Sequence, residues 1–168
     1  MTKLSMHAVS APVFVRMLKN LSSILTSAEK QAKAKGYDPT VLLNARLAPD
    51  MFPLTRQVQI ATDHAKGCVA RLAGKQIEAI EDTETTFAEL QARIAKVLAM
   101  VESYQPEHFE GAENREITIK IPNMELKFSG LDYVNQWAMP NFYFHCVTAY
   151  DILRANGIDL GKKDFLIG

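Results

Sequence analysis

Leu54, Val58, Ala61, Ala65, Cys68 and Leu72 follow one another at spacings of four, three, four, three and four. A strand cannot use that cadence, because its side chains change face every residue. A helix turning about 100° per residue puts all of them on one side. Unbroken over the whole segment, the stripe is a seam that must be buried against other helices. Two more segments carry the same pattern: Phe14, Leu18, Leu21, Leu25, Ala28 and Ala32, then Phe87, Leu90, Ile94, Val97, Val101 and Tyr104. A fourth, LDYVNQWAMPNFYFHCVTAYDILRAN from Leu131 to Asn156, places Val134, Ala138, Asn141, His145, Ala149 and Ile152 on one face.

The punctuation fits four helices. The first runs from Pro12 to Lys33, with proline tolerated in the first turn and Gly36 as the stop. The second spans Pro53 to Ala73 before Gly74, and the third Phe87 to Ser103, with Thr86 and Glu89 as a capping box. Asn156-Gly157 closes the fourth, inside which Pro140 either kinks the helix or divides it in two. Tyr37 to Met51 is a long connection with a short turn at Leu42 and Leu43, and Lys75 to Glu84 is a polar link. From Arg115 the period drops to two: Ile117, Ile119 and Ile121, then Met124, Leu126 and Phe128. This predicts a hairpin with one apolar face resting on the helices. Because proline cannot take the positive φ of a two-residue type I′ loop, its turn is expected to hold three to five residues. Phe165, Leu166 and Ile167 in the tail predict a segment that folds back or meets a partner. The fold class is therefore mainly α: an up-and-down four-helix bundle with a small β-hairpin before the last helix, one domain over residues 1–168.

Charge narrows the function. Lys+Arg and Asp+Glu balance at 19 each, and no basic run is present, so nucleic acid has no electrostatic footprint. No window approaches a transmembrane length, and MTKLSMHAVSAPVF has no unbroken apolar core of a signal peptide. Cys68 and Cys146 both fall within apolar helical patterns and read as buried thiols. The expected setting is cytoplasmic.

Two residues disturb the last stripe. Asn141 and His145 lie one turn apart on an otherwise apolar face, where an unpaired polar group costs about 1–3 kcal/mol. They are the candidate catalytic pair, His145 as general base and Asn141 as ligand orienter. On the second helix His64 lies about 80° from the seam centre and looks in from its edge, while Asp63 faces water. Tyr143 and Tyr150 at the mouth and Arg46 in NARLAP complete the candidate ligand-binding set. His7 belongs to a lead-in to the first helix, and His108 lies in the solvated acidic loop EHFEGAE. Nucleotide-binding glycine loops, C-x-x-C, G-x-S-x-G and H-E-x-x-H are all absent.

ARLAPDMFPLTRQVQIATDHAKGCVARLAG, EDTETTFAELQARI and NFYFHCVTAYDILRANGIDLGKKDFL together resemble an uncharacterised bacterial family of DinB/YfiT-like bundles, a domain of unknown function. The resemblance spans nearly the whole chain. It implies a four-helix bundle, often dimeric, in a superfamily that includes metal-dependent thiol transferases and hydrolases. Their metal site takes one histidine from the second helix and an H-x-x-x-H pair from the fourth. By that likeness His64 and His145 match two ligands, and Asn141 stands where the third histidine belongs. An amide is a poor partner for Zn²⁺ or Ni²⁺ beside imidazole, so any divalent metal site is degenerate.

Two functions follow. One is a small-molecule site around His145 and Asn141, a degenerate hydrolase or thiol-transferase site being its metal-bearing form. The other is a non-catalytic homodimer without metal, with Asn141 and His145 bonded to each other in a filled core and Phe142 and Phe144 turned outward as the contact.

Overall fold

The computed structural model describes residues 5–168; residues 1–4, part of the stretch read above for a signal peptide, lie outside the description. In chain order the helices are α1 (Ala11–Ala34), α2 (Thr40–Leu43), α3 (Leu54–Leu72) and α4 (Phe87–Glu102), followed by β1 (Ile117–Ile121) and β2 (Met124–Phe128). Then come α5 (Gly130–Asp132), a π-helical turn (Tyr133–Ala138), α6 (Met139–Ala155) and α7 (Lys162–Leu166). The expected stripes are the core: Phe14, Leu18, Leu54, Leu72, Leu90 and Ile152 are fully buried. The chain is a mainly α four-helix bundle with a small antiparallel hairpin.

Around the bundle the order is α1, α4, α3, α6, with α3 on α6 and α1 on α4 as the most extensive contacts. The connections set the directions. Residues 75–85 run back along α3 in extended form, with the Glu78 carbonyl on Lys66, Glu84 on Gln59 and Asp82 on Arg56. So α4 starts beside the start of α3 and runs parallel to it, Thr62 meeting Arg93 and Lys66 meeting the same link as Lys96. Helix α6 returns antiparallel to α3, since Gln57 meets His145 and Arg71 meets Tyr133. The bundle runs up, down, down, up, and strict alternation is broken at this one link.

Local chemistry accounts for the ends. Thr86 accepts from the Glu89 N–H while the Glu89 carboxylate takes the Thr85 and Thr86 N–H groups, the capping box expected at α4. Gly74 (φ 66°) ends α3, and Arg115 reaches across to the freed Leu72 carbonyl. The tail folds back on α1: Arg16 and Asn20 donate to the Leu166 and Phe165 carbonyls. The hairpin buries Ile117 and Ile119, but Ile121 and Met124 at its tip are exposed. Its turn holds only Pro122 and Asn123, because Ile121 pairs with Met124. This corrects the longer turn: Asn123 at φ 63° after proline has the sign pattern of a type II turn, which welcomes proline at the first position.

The last helix carries the correction that matters most. Met139 N–H bonds to the Val134 carbonyl, five residues back, so the chain widens into a π turn just before Pro140. The widened turn shifts the register of everything after it relative to what precedes it. Past the turn, Phe142 takes the core position, packed edge-on against Phe14 with centroids 4.8 Å apart. It does not turn outward as expected; only Phe144 does, 56% exposed. Asn141 is half-buried at the edge of the stripe and donates its amide to the Trp137 carbonyl at 2.7 Å. Gly130 opens this segment because a Cβ there would lie 1.8 Å from the Ala112 carbonyl oxygen.

Candidate functional site

His145 is buried between α6 and α3, and its Nδ1 lies 2.7 Å from the Gln57 side-chain oxygen. That contact fixes a tautomer. Gln57 donates its amide nitrogen to the Phe52 carbonyl at 3.0 Å, so its oxygen is left to accept and His145 must carry the proton on Nδ1. The lone pair is then on Nε2.

His64 stacks beside it, ring centroids 5.9 Å apart and planes 15° from parallel. Among the described residues no buried side-chain nitrogen or oxygen lacks a hydrogen-bond partner. The His145 Nε2 and both nitrogens of His64 bond to no described group, so they reach solvent. Both rings are neutral at pH 7. Burial, the neighbouring His145 and the charge of Arg71 hold His64 down to about 4. Burial and the Arg56 charge hold His145 down to about 4 as well. Phe144 lies edge-on to the His145 ring at 5.2 Å.

The other expected site residues are elsewhere. Asn141 does not bond to His145; its amide is used one turn back. Tyr143 lies on the α1 side, lining a cleft with Pro12, Arg16 and Phe165. The Tyr150 hydroxyl donates to the Leu160 carbonyl, and its ring meets Phe165. Arg46 clamps its own loop through the Pro49 and Met51 carbonyls. His7 packs edge-on to Phe109, and exposed His108 accepts from the Gln105 N–H. Cys68 and Cys146 are buried free thiols whose pKa burial pushes up, so neither is a thiolate nucleophile.

Asp63 does not simply face water. It bridges Arg93 at 3.0 Å and Lys66 at 3.1 Å, and Arg93, almost wholly buried, also holds Asp82, Glu84 and Thr62. This network ties the α3–α4 link to the bundle. Gln57 and Arg71, which sequence reading also passed over, had a signal: with His64 they stand at intervals of seven, a polar column beside the α3 seam.

For a metal, His64 and His145 supply two open imidazoles. Among the described residues no group of three or more His, Cys, Asp or Glu side chains is arranged to hold one, and the third candidate, Asn141, is an amide already donating to backbone. The donor set falls short of a three-ligand Zn²⁺ or Ni²⁺ site.

A family model for a domain of unknown function, DUF1993, matches residues 6–166. The chain belongs to the DUF1993 family. It is also similar to a DinB family member protein from Shewanella denitrificans, known from its crystal structure, at 45% identity and a TM-score of 0.88, covering 96% of this chain and 92% of that one. This DUF1993 chain is thus a DinB-like bundle, with the architecture the likeness implied. No curated protein matches it. Among the described residues no helix is long and apolar enough to cross a membrane.

Proposed function

We propose that this DUF1993 protein binds a small molecule where α3 meets α6, at His64 and His145. The observation that carries the reading is the Gln57–His145 bond, which spends a buried amide to present one imidazole lone pair beside a second neutral imidazole. A base held at about 4 takes protons weakly at pH 7, so His145 serves first as a hydrogen-bond acceptor and orienter. The same pair would hold a divalent cation loosely, as the remnant of a three-histidine hydrolase or transferase site. Two buried free thiols support a reducing, cytoplasmic setting.

Metal analysis of the purified protein, with Zn²⁺, Ni²⁺ and Mn²⁺ titrations of wild type and His145→Ala, tests this. The expected result is substoichiometric metal and weak binding that His145→Ala abolishes. Tight stoichiometric metal lost in the variant would replace a degenerate site with a working metal centre.

A second reading has one observation in its favour. Phe144, 56% exposed, lies edge-on to His145, and Val147 is exposed on the same helix. A second copy covering this face would make the protein a homodimer without catalysis. Sedimentation velocity of wild type and Phe144→Ser decides it: a dimer dissociated by the substitution favours this reading, a monomer in both sinks it.

A further inference from the structure

The hairpin is a sheet of two strands, so each strand has an outer edge. Ile121 pairs with Met124 across the two-residue turn, and from there Ile119 and Ile117 exchange backbone bonds with Leu126 and Phe128. The N–H and C=O groups of the residues in between point away from the pair. On β1 and at its entry these belong to Glu116, Thr118 and Lys120, all exposed. Among the described residues no backbone hydrogen bond joins them to another element. Such an edge is a template for a further strand.

The two edges are not equal. On β2 only Glu125 and Lys127 turn outward, because Asn123 sits at φ 63° in the turn and the Ser129 carbonyl already accepts from the Tyr133 N–H. The β1 edge is longer, and its charges complement themselves. When two copies of β1 lie antiparallel about a twofold axis at Thr118, Glu116 of each faces Lys120 of the other and Thr118 faces Thr118. Each of these pairs can exchange two backbone bonds. Within one copy Lys120 lies 4.0 Å from Glu125, and Lys127 lies 3.6 Å from Glu116. The joined sheet therefore carries Glu125, Lys120, the second copy's Glu116 and its Lys127 in a row of alternating sign. Neighbouring registers lose this match. A twofold at Ile119 sets Glu116 against Pro122, which has no N–H; one at Ile117 sets Glu116 against Thr118 and Lys120 against Asn114.

We propose that β1 pairs antiparallel with β1 of a second copy, centred on Thr118, to make a four-stranded sheet across a homodimer. The contact uses a different element from the Phe144 face of α6 and needs no ligand. Opposite charges select both the partner and the register. Strand pairing alone is a small interface, so a reversible association in about the micromolar range is expected.

Sedimentation velocity over a concentration series tests this in wild type, Glu116→Lys, Lys120→Glu, the double reversal and Phe144→Ser. Each single reversal sets like charges opposite one another and is expected to weaken dimerisation at least about tenfold. The double reversal restores opposite charges and is expected to return it to within about threefold of wild type. Cross-linking under oxidised glutathione reads the register. With both native thiols buried, Thr118→Cys is expected to give a disulfide-linked dimer, and Lys120→Cys, which faces residue 116, is not. A wild type that stays monomeric throughout overturns the inference. So does a dimer that survives the single reversals, a double reversal no stronger than the single ones, or a dimer lost in Phe144→Ser alone. Cross-linking of Lys120→Cys as fast as Thr118→Cys overturns the register. Circular dichroism checks the folding of each variant, and should a reversal fail to fold, the two cysteine variants decide alone.

Discussion

A glutamine 88 positions away sets the proton on His145. Gln57 makes two bonds with one amide, accepting from the imidazole and donating to the Phe52 carbonyl, so it orients both α3 and the ring. Gln57→Leu keeps the volume, removes both bonds and leaves the His145 Nδ1–H and the Phe52 carbonyl unpaired. It is expected to cost about 1–3 kcal/mol, read as a lower urea midpoint at unchanged slope. The two histidines also set a pH dependence. Each has a folded pKa of about 4 against an ordinary 6.5, so between those values the unfolded chain holds more protons. Their stabilising contribution is complete above about pH 6.5, fades as pH falls, and is gone below about 4. Urea melts from pH 7.5 to 4 are expected to show declining stability, and the slope is expected to flatten in His64→Gln and His145→Gln.

Elements meet in this bundle through their links as much as their seams. The extended return from α3 to α4 makes those helices parallel, and the Arg93 network holds it in place. Burial raises the Glu84 pKa, but hydrogen bonds from Arg93 and Gln59 outweigh it and keep the carboxyl below its ordinary value. Arg93→Ala would leave the buried Glu84 carboxylate facing no cation, while Asp63 keeps Lys66 and Asp82 keeps Arg56. The expected loss is about 3–5 kcal/mol, with new proteolytic cuts in residues 75–85 as the link comes free. Thr86→Ala removes only the cap of α4 and is expected to cost about 1 kcal/mol by thermal melt, with the link still protected. The π turn acts at the same scale. By widening one turn it brings Phe142 into the core and leaves Asn141 at the edge, so His145 and not Asn141 is the polar group facing α3.

Across the whole molecule, the tail closes the bundle on the α1 side while the histidine pair lies on the α3–α6 side. Segment α7 holds to α1 by two side-chain bonds to its carbonyls and to α6 by Phe165 against Tyr150, without one fully buried residue. Removing residues 161–168 is expected to lower stability by about 1–2 kcal/mol, less than Arg93→Ala, and to leave the His64 and His145 ring signals unmoved. A large shift of those signals would mean the two sides communicate through α6.

By itself the sequence determined what depends on local period. Four seams, the Thr86–Glu89 cap, the alternation of the hairpin and the isolated polar character of His145 are all written in residues within a turn or two of one another. Even the column of Gln57, His64 and Arg71 was legible at intervals of seven. Only the tertiary structure decided what depends on partners far along the chain. The bond from Gln57 to His145, the Arg93 network and the parallel run of α3 and α4 join segments 9 to 88 residues apart, and no periodicity encodes them. The π turn escaped for a different reason. One extra residue in a helical turn leaves the apolar pattern almost unchanged, so the exchange of Asn141 for Phe142 at the core was decided by packing against Phe14.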